Sequence, residues 1–266
     1  MPAPTNPFKA ALAARQFQLG LWVALATPYV TEVVGQCGYD WLLIDGEHGP
    51  NDIPLLSAQL GVLAASNSHP IVRLPMGEAW LIKQILDAGA QTLLIPMVES
   101  AEEAAALVRA TRYPPEGIRG VGASLGRATR FGQIGDYMTN ANREICLIVQ
   151  VESLKGIHAL DAIAATDGID GVFIGPSDLA ADMGHLGQPD SPEVRAVIAD
   201  AFVRIAKAGK PRGIMTSNLA EAERYRQMGA DFMAIGTDVT LLTRALVDHR
   251  KRFMAGDIPM VGESGY

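Results

Sequence analysis

The chain has 266 residues, 48% of them hydrophobic and 19% charged, with a formal net charge of −7. That apolar content supports a sizeable buried core and excludes a disordered or fibrous chain. The acidic balance excludes a duplex-binding surface, which needs a basic excess, so no nucleic-acid partner is expected. Cys37 and Cys146 make no CxxC pair and sit beside apolar residues, which predicts buried thiols in a reducing compartment. Residues 1–7 carry neither a basic nor an apolar stretch, so no signal peptide is expected. The longest uncharged run, residues 53–72, is broken by Pro54, Gln59, Asn67 and Pro70 and fails as a membrane span. A soluble cytoplasmic protein without a membrane partner is expected.

Short aliphatic runs recur at residues 19–26, 41–44, 70–74, 92–98, 145–151, 171–174, 212–215 and 231–235. None alternates polar with apolar residues, which is the pattern of strands covered on both faces. Between them lie helical stripes. Leu81, Ile82, Ile85 and Leu86 form one after the third run, and Ser100 with Glu103 makes a capping box after the fourth. Asp190 to Pro192 offers capping chemistry ahead of Val194, Val197, Ile198, Ala201, Phe202 and Ile205. Val239, Leu242, Leu246 and Phe253 form the last stripe, predicting a helix over about residues 238–254. Eight strands alternating with helices, without a composition break, predict an α/β fold: a single-domain (β/α)8 TIM barrel over residues 1–266. An open doubly wound sheet competes, but no GxGxxG turn follows the first strand. Residues 113–137 break the rhythm, with Pro114-Pro115, several glycines, Arg127 and Arg130 in a long loop.

Barrels of this kind carry their chemistry at the C-terminal ends of the strands. Those ends hold Asp45-Gly46-Glu47-His48, Arg73, Gln150 with Glu152, Gly175-Pro176-Ser177-Asp178, Thr216-Ser217-Asn218 and Thr237-Asp238. Glu152 and Asp178, on adjacent strands, suit a hard cation such as Mg²⁺ or Mn²⁺, and salt bridges with strand-end arginines are the competing reading. His48, three residues after Asp45, fits a carboxylate-oriented general base, against a plain surface histidine. His69, His158, His185 and His249 are isolated and are expected at surface positions. Arg73 ends an apolar strand, where a charge is costly unless it is paired or clamps an anion. The turn at Gly175 opens a helix whose free N–H groups could hold a small carboxylate. Only Lys155 lies near a strand end, so metal chemistry is preferred over a Schiff base, and no GxSxG elbow supports a serine hydrolase.

Several motifs in order carry a resemblance over nearly the whole chain. They are Trp41-Leu42-Leu43-Ile44-Asp45-Gly46-Glu47-His48, Thr92 to Val98, Arg112-Tyr113-Pro114-Pro115 with Ile118 to Gly122, Gln150-Val151-Glu152, and Gly171 to Pro176 with Asp178-Leu179. They resemble the class II, metal-dependent pyruvate aldolases, above all those acting on 4-hydroxy-2-oxoheptanedioate. The 2-dehydro-3-deoxyglucarate aldolases are relatives, and the citrate-lyase β enzymes are more distant ones.

The resemblance implies reversible cleavage of 4-hydroxy-2-oxo acids to pyruvate and an aldehyde such as succinate semialdehyde. It implies Mg²⁺, Mn²⁺ or Co²⁺ on Glu152 and Asp178, and no organic cofactor. Arg73 would contact the keto oxygen and stabilise the enolate, with Gln150 beside the metal-bound ligand. His48, held by Asp45, would be the base for the aldol hydroxyl, and Asp87 would lie near the aldehyde. Backbone around Gly175, Ser177 and Asp178 would hold the pyruvate carboxylate. A homohexamer is implied, with neighbouring subunits lining part of the site. Gly49, Leu74 to Gly77, Phe131 and Met215 to Asn218 depart from the family pattern and bear on the acceptor aldehyde. A small-acid-binding or scaffold barrel is the alternative without catalysis.

Overall fold

The computed structural model describes residues 1–255. Eight parallel strands close into one barrel in sequence order. They are β1 (Gln18–Val23), β2 (Trp41–Asp45), β3 (His69–Arg73), β4 (Thr92–Ile95), β5 (Cys146–Val151), β6 (Gly171–Ile174), β7 (Arg212–Met215) and β8 (Phe232–Thr237). The helices are α1 (Pro7–Ala13), α2 (Pro28–Val34), α3 (Ile53–Leu63), α4 (Ala79–Asp87), α5 (Ala101–Thr111) and α6 (Tyr137–Glu144). They continue with α7 (Leu154–Ala165), α8 (Pro176–Asp182), α9 (Pro192–Lys207), α10 (Leu219–Gln227) and α11 (Asp238–Ala255). The fold is the expected single-domain (β/α)8 barrel. No helix among the described residues is long and apolar enough to cross a membrane.

The aliphatic runs are explained by two apolar shells. Leu42, Ile44, Val72, Leu93, Val149 and Ile174 point outward and pack beneath the helices. Trp22, Trp41, Leu43, Ile71, Leu94, Ile148, Phe173 and Phe232 fill the interior, and Phe8 and Leu12 of α1 plug its N-terminal end. Strands buried on both faces have no polar side to show. Gly20 is needed for this filling, because a Cβ there would overlap the Trp41 indole.

Two expectations change at this level, and the stripe of the last helix, which suited an interface or packing on its own barrel equally, is decided. Cys37 is exposed, because it lies in the turn after α2, whereas Cys146 is buried inside the barrel. His69 is buried rather than superficial: it points into the closed end, with Nε2 2.7 Å from Thr92 Oγ1 and its ring stacked on Phe8. Burial pushes its pKa down to about 4. The last stripe does not pack on its own barrel. Val239, Leu241, Leu242, Leu246, Val247, Phe253 and Met254 of α11 are all exposed. No residue separates β8 from α11. Asp238 instead accepts hydrogen bonds from Ala24 N (2.9 Å) and Leu25 N (3.1 Å), fixing the helix start to the end of β1.

Candidate active site

Each strand delivers its last inward side chain to the same end of the barrel. Asp45 and Arg73 are cross-strand partners in the β2–β3 register, so they arrive at one height. The guanidinium bonds the carboxylate through Nε (2.9 Å) and Nη2 (2.7 Å), the bidentate geometry that an arginine fork favours. Its Cζ lies 5.2 Å above the Trp22 ring, so the arginine is held from beneath as well as from the side.

The register therefore reassigns Asp45. Its carboxylate is committed to Arg73 and to the backbone N–H groups of Glu47 (3.1 Å) and His48 (3.4 Å), not to the His48 imidazole. The turn through Gly46 carries His48 outward, leaving its side chain 70% exposed. The carboxylate nearest to the imidazole is that of Glu47, with Oε2 3.9 Å from Nε2. Glu47 also lies 2.8 Å from Arg73 Nη1, but in a direction that leaves its Oε2 without a hydrogen-bond donor. Burial raises the Glu47 pKa, opposed by Arg73 and His48 and reinforced by Asp45 and Asp178.

On the other side of the mouth, Gln150 and Glu152 project inward from β5, two residues apart. Glu152 accepts hydrogen bonds from Gln150 Nε2 and from Met97 N (2.9 Å). Met97 holds a left-handed φ of 54° just past β4, which turns its N–H toward that carboxylate. Gly175 is obligatory beside it, since a Cβ would overlap the Glu152 carboxylate. Burial raises the Glu152 pKa to about 7 against its two hydrogen bonds, with further increases from Asp178 and Glu47. Asp178 sits in the first turn of α8 and acts on both of these carboxylates.

Four carboxylates, Asp45, Glu47, Glu152 and Asp178, thus act on one another at this mouth, and Arg73 lies against only two of them, Asp45 and Glu47. Gln150 Oε1 is buried with no hydrogen-bond partner among the described residues. This excess of hard oxygen donors and negative charge fits a divalent cation with oxygen ligands. Among the described residues no three His, Cys, Asp or Glu side chains converge to hold an ion unaided, so Glu152 and Asp178 would leave coordination positions for other oxygens.

Other expected residues lie elsewhere. Asp87 is at the C-terminal end of α4, and α4 runs back from the strand ends, so Asp87 reaches the opposite end of the barrel. There it pairs with Arg119 Nη2 at 2.7 Å. Arg127 and Arg130 are at that end too, in the long connection from α5 to α6, beside a cleft of about 870 Å³ under the N-terminal segment. Lys155 points to Glu99 (2.9 Å) on the rim. Two contributors were missed. Glu47 was visible within the Asp-Gly-Glu-His motif, whereas nothing in the sequence marks the Met97 backbone.

The family model of the HpcH/HpaI aldolase/citrate lyase matches residues 18–245, the whole barrel. The chain belongs to this family. These enzymes are carbon–carbon lyases, and the aldolase reading of the strand-end cluster agrees with that chemistry. A hydroxypyruvate/pyruvate aldolase of Roseovarius nubinhibens is 62% identical over 244 residues, covering 92% of this chain and 95% of its own. A 4-hydroxy-2-oxo-heptane-1,7-dioate aldolase of Klebsiella pneumoniae is 51% identical over 248 residues, covering 93% and 94%. The crystal structure of a family protein from Burkholderia cenocepacia superposes with a TM-score of 0.91 at 40% identity, covering 94% of this chain and 100% of that one.

Proposed function

We propose that this aldolase is metal-dependent and cleaves 4-hydroxy-2-oxo acids reversibly to a 2-oxo acid and an aldehyde. The observation that carries the proposal is the carboxylate-rich mouth in which Glu47, paired with the Asp45-locked Arg73, also acts on Glu152 and Asp178. The 2-oxo acid is pyruvate, and the name of the Roseovarius relative makes hydroxypyruvate the second donor to test. Succinate semialdehyde is an expected aldehyde, by similarity to the Klebsiella relative.

Glu152 and Asp178 would hold Mg²⁺, Mn²⁺ or Co²⁺, which supplies Lewis acidity toward the 2-oxo group. Arg73 cannot swing away from its two carboxylates, so its fixed charge faces the oxygen that becomes negative as C3–C4 breaks. Gln150 directs its amide into the same space. The N–H groups after Gly175, at Ser177 and Asp178, lack carbonyl partners within α8 and would bind the substrate carboxylate. His48 stands at the open rim, where it would take the proton of the aldol hydroxyl, with Glu47 as its nearest carboxylate.

The protein is also proposed to be a homo-oligomer, with a hexamer expected. The exposed stripe of α11 and the exposed Tyr29 and Val33 of α2 are apolar surfaces that a second copy would cover. Pyruvate release from a 4-hydroxy-2-oxo acid is the direct assay. Chelation should abolish it, added Mg²⁺, Mn²⁺ or Co²⁺ should restore it, and borohydride with pyruvate should leave the protein unlabelled. Covalent trapping with chelator-resistant turnover would establish a Schiff base instead.

A further inference from the structure

Gln59, one of the four residues that interrupt the longest uncharged run, lies in α3 with no exposed surface, and Thr31 of α2 is equally buried. An uncompensated amide in that position would cost several kilocalories per mole, so its partners are informative. Gln59 Nε2 donates to Asn51 Oδ1 at 2.6 Å and is 3.2 Å from Leu55 O. Asn51 Nδ2 in turn donates to the main-chain carbonyl of Asp45 at 2.7 Å. At the other end, the Thr31 hydroxyl lies 2.8 Å from Gln59 Oε1 and 3.0 Å from Thr27 O.

The polarity of this chain of bonds follows from one group. The Asp45 carbonyl can only accept, so Asn51 must present its NH₂ there and its oxygen to Gln59. Gln59 must then present its NH₂ to Asn51 and its oxygen to Thr31, whose hydroxyl is the donor. Both amide orientations are determined, the single Thr31 proton serves either Gln59 Oε1 or Thr27 O, and the relay runs from the helical layer to the last residue of β2, where the turn begins. It reaches a turn whose bonds are few: Gly46 N donates to Arg73 O at 2.9 Å, Glu47 N and His48 N donate to the Asp45 carboxylate, and Asn51 N donates to Gly49 O at 2.7 Å. Among the described residues the His48 imidazole makes no hydrogen bond and has only Glu47, of the same turn, as a charged neighbour at 3.9 Å, so the conformation of this turn sets where it stands.

We propose that Thr31, Gln59 and Asn51 are positioning residues that hold the turn carrying Glu47 and His48 in register with Arg73. Arg73 is fixed independently by β3, by Asp45 and by Trp22. The relay therefore governs the step that uses His48 and not the step that uses Arg73. The kinetic consequence rests on the proposed aldolase reaction, whereas the structural one does not.

The test compares the wild-type protein with Asn51→Ala, Gln59→Met, Thr31→Val and Thr31→Ser. Amide hydrogen exchange at residues 45–51 should accelerate by about tenfold or more in the first two variants, whatever the substrate. Cleavage kcat should fall by about 10- to 100-fold in them, as expected for a displaced catalytic group. Exchange of the pyruvate methyl protons with deuterium and KM should stay within about twofold. Thr31→Val should show a smaller loss, and Thr31→Ser should recover it.

Unchanged exchange in the turn would overturn the proposal, as would equal losses of cleavage and of pyruvate deuteration, or a Thr31→Ser no better than Thr31→Val. Asn51 is partly exposed, so Asn51→Ala still decides the matter if Gln59→Met does not fold. A wild-type protein that neither deuterates nor releases pyruvate would refute the aldolase reading, and exchange in the turn would then judge the relay by itself.

Discussion

The two ends of this barrel are built from the same eight strands and treat polar groups in opposite ways. At the N-terminal end His69 meets Thr92. Asn6 Nδ2 reaches Thr92 Oγ1 (3.0 Å) and Glu144 O (3.0 Å), while its Oδ1 caps α1 by accepting from Lys9 N (2.9 Å). Phe8 covers the group, packed against His69, Trp41 and Phe232. At the C-terminal end four carboxylates gather where Arg73 pairs with only two of them, and Gln150 Oε1 and Glu47 Oε2 lack hydrogen-bond partners among the described residues. The plug around His69 is closed by satisfied pairs, although Arg119 Nε and Nη1 and the Tyr113 hydroxyl, beside Asp87 toward the same end, lack partners among the described residues. The C-terminal end is left short of positive charge, and a site that must admit a cation and an anionic substrate needs that shortage.

Substitutions at the two ends should separate activity from stability. The largest effect is expected for Glu152→Gln, which removes a repelled carboxylate. Turnover should fall by ~10³-fold or more, while the melting temperature holds or rises. At the closed end, Phe8→Ala empties a fully buried position and should cost about 3–5 kcal/mol, read by denaturant unfolding, with kcat unchanged where the protein remains folded.

His69 gives the closed end a pH signature. Its folded pKa of about 4 lies below the ordinary value of 6.5, so the unfolded chain takes up the proton first. Stability from this group is complete above pH 6.5 and declines as pH falls toward 4, by about 3 kcal/mol in all. A His69→Gln variant should lack that slope in unfolding measurements across the window. The smallest of these effects is His48→Ala at the open end. It should lower cleavage by ~10²-fold, near the low end for a general base, while pyruvate deuteration continues.

Much of this contrast was legible in the sequence, for physical reasons. Strands sandwiched between two apolar shells must read as aliphatic runs, so all eight were visible, with boundaries displaced by a few residues, as where residues 24–26 leave β1. Strand-end polarity pointed to Asp45, Arg73, Gln150, Glu152 and Asp178. What was illegible depended on register and direction. Asp45 belongs to Arg73 because β2 and β3 pair at that height, and no local spacing encodes this. Within one chain Asp87 lies at the other end of the barrel, because α4 runs back from the strand ends. The stripe of α11 was visible, but its spacing does not encode that Val239, Leu242, Leu246 and Phe253 stay exposed. His69 looked like any isolated histidine until α1 was seen to cover it.

The most direct measurement is deuterium exchange at the pyruvate methyl group, followed by NMR, because it isolates the step assigned to the open end. The account predicts no exchange after chelation, recovery on adding Mg²⁺, Mn²⁺ or Co²⁺, and no recovery in Glu152→Gln. Exchange that persists at the wild-type rate in the chelated protein, or that Glu152→Gln retains in full, would contradict it.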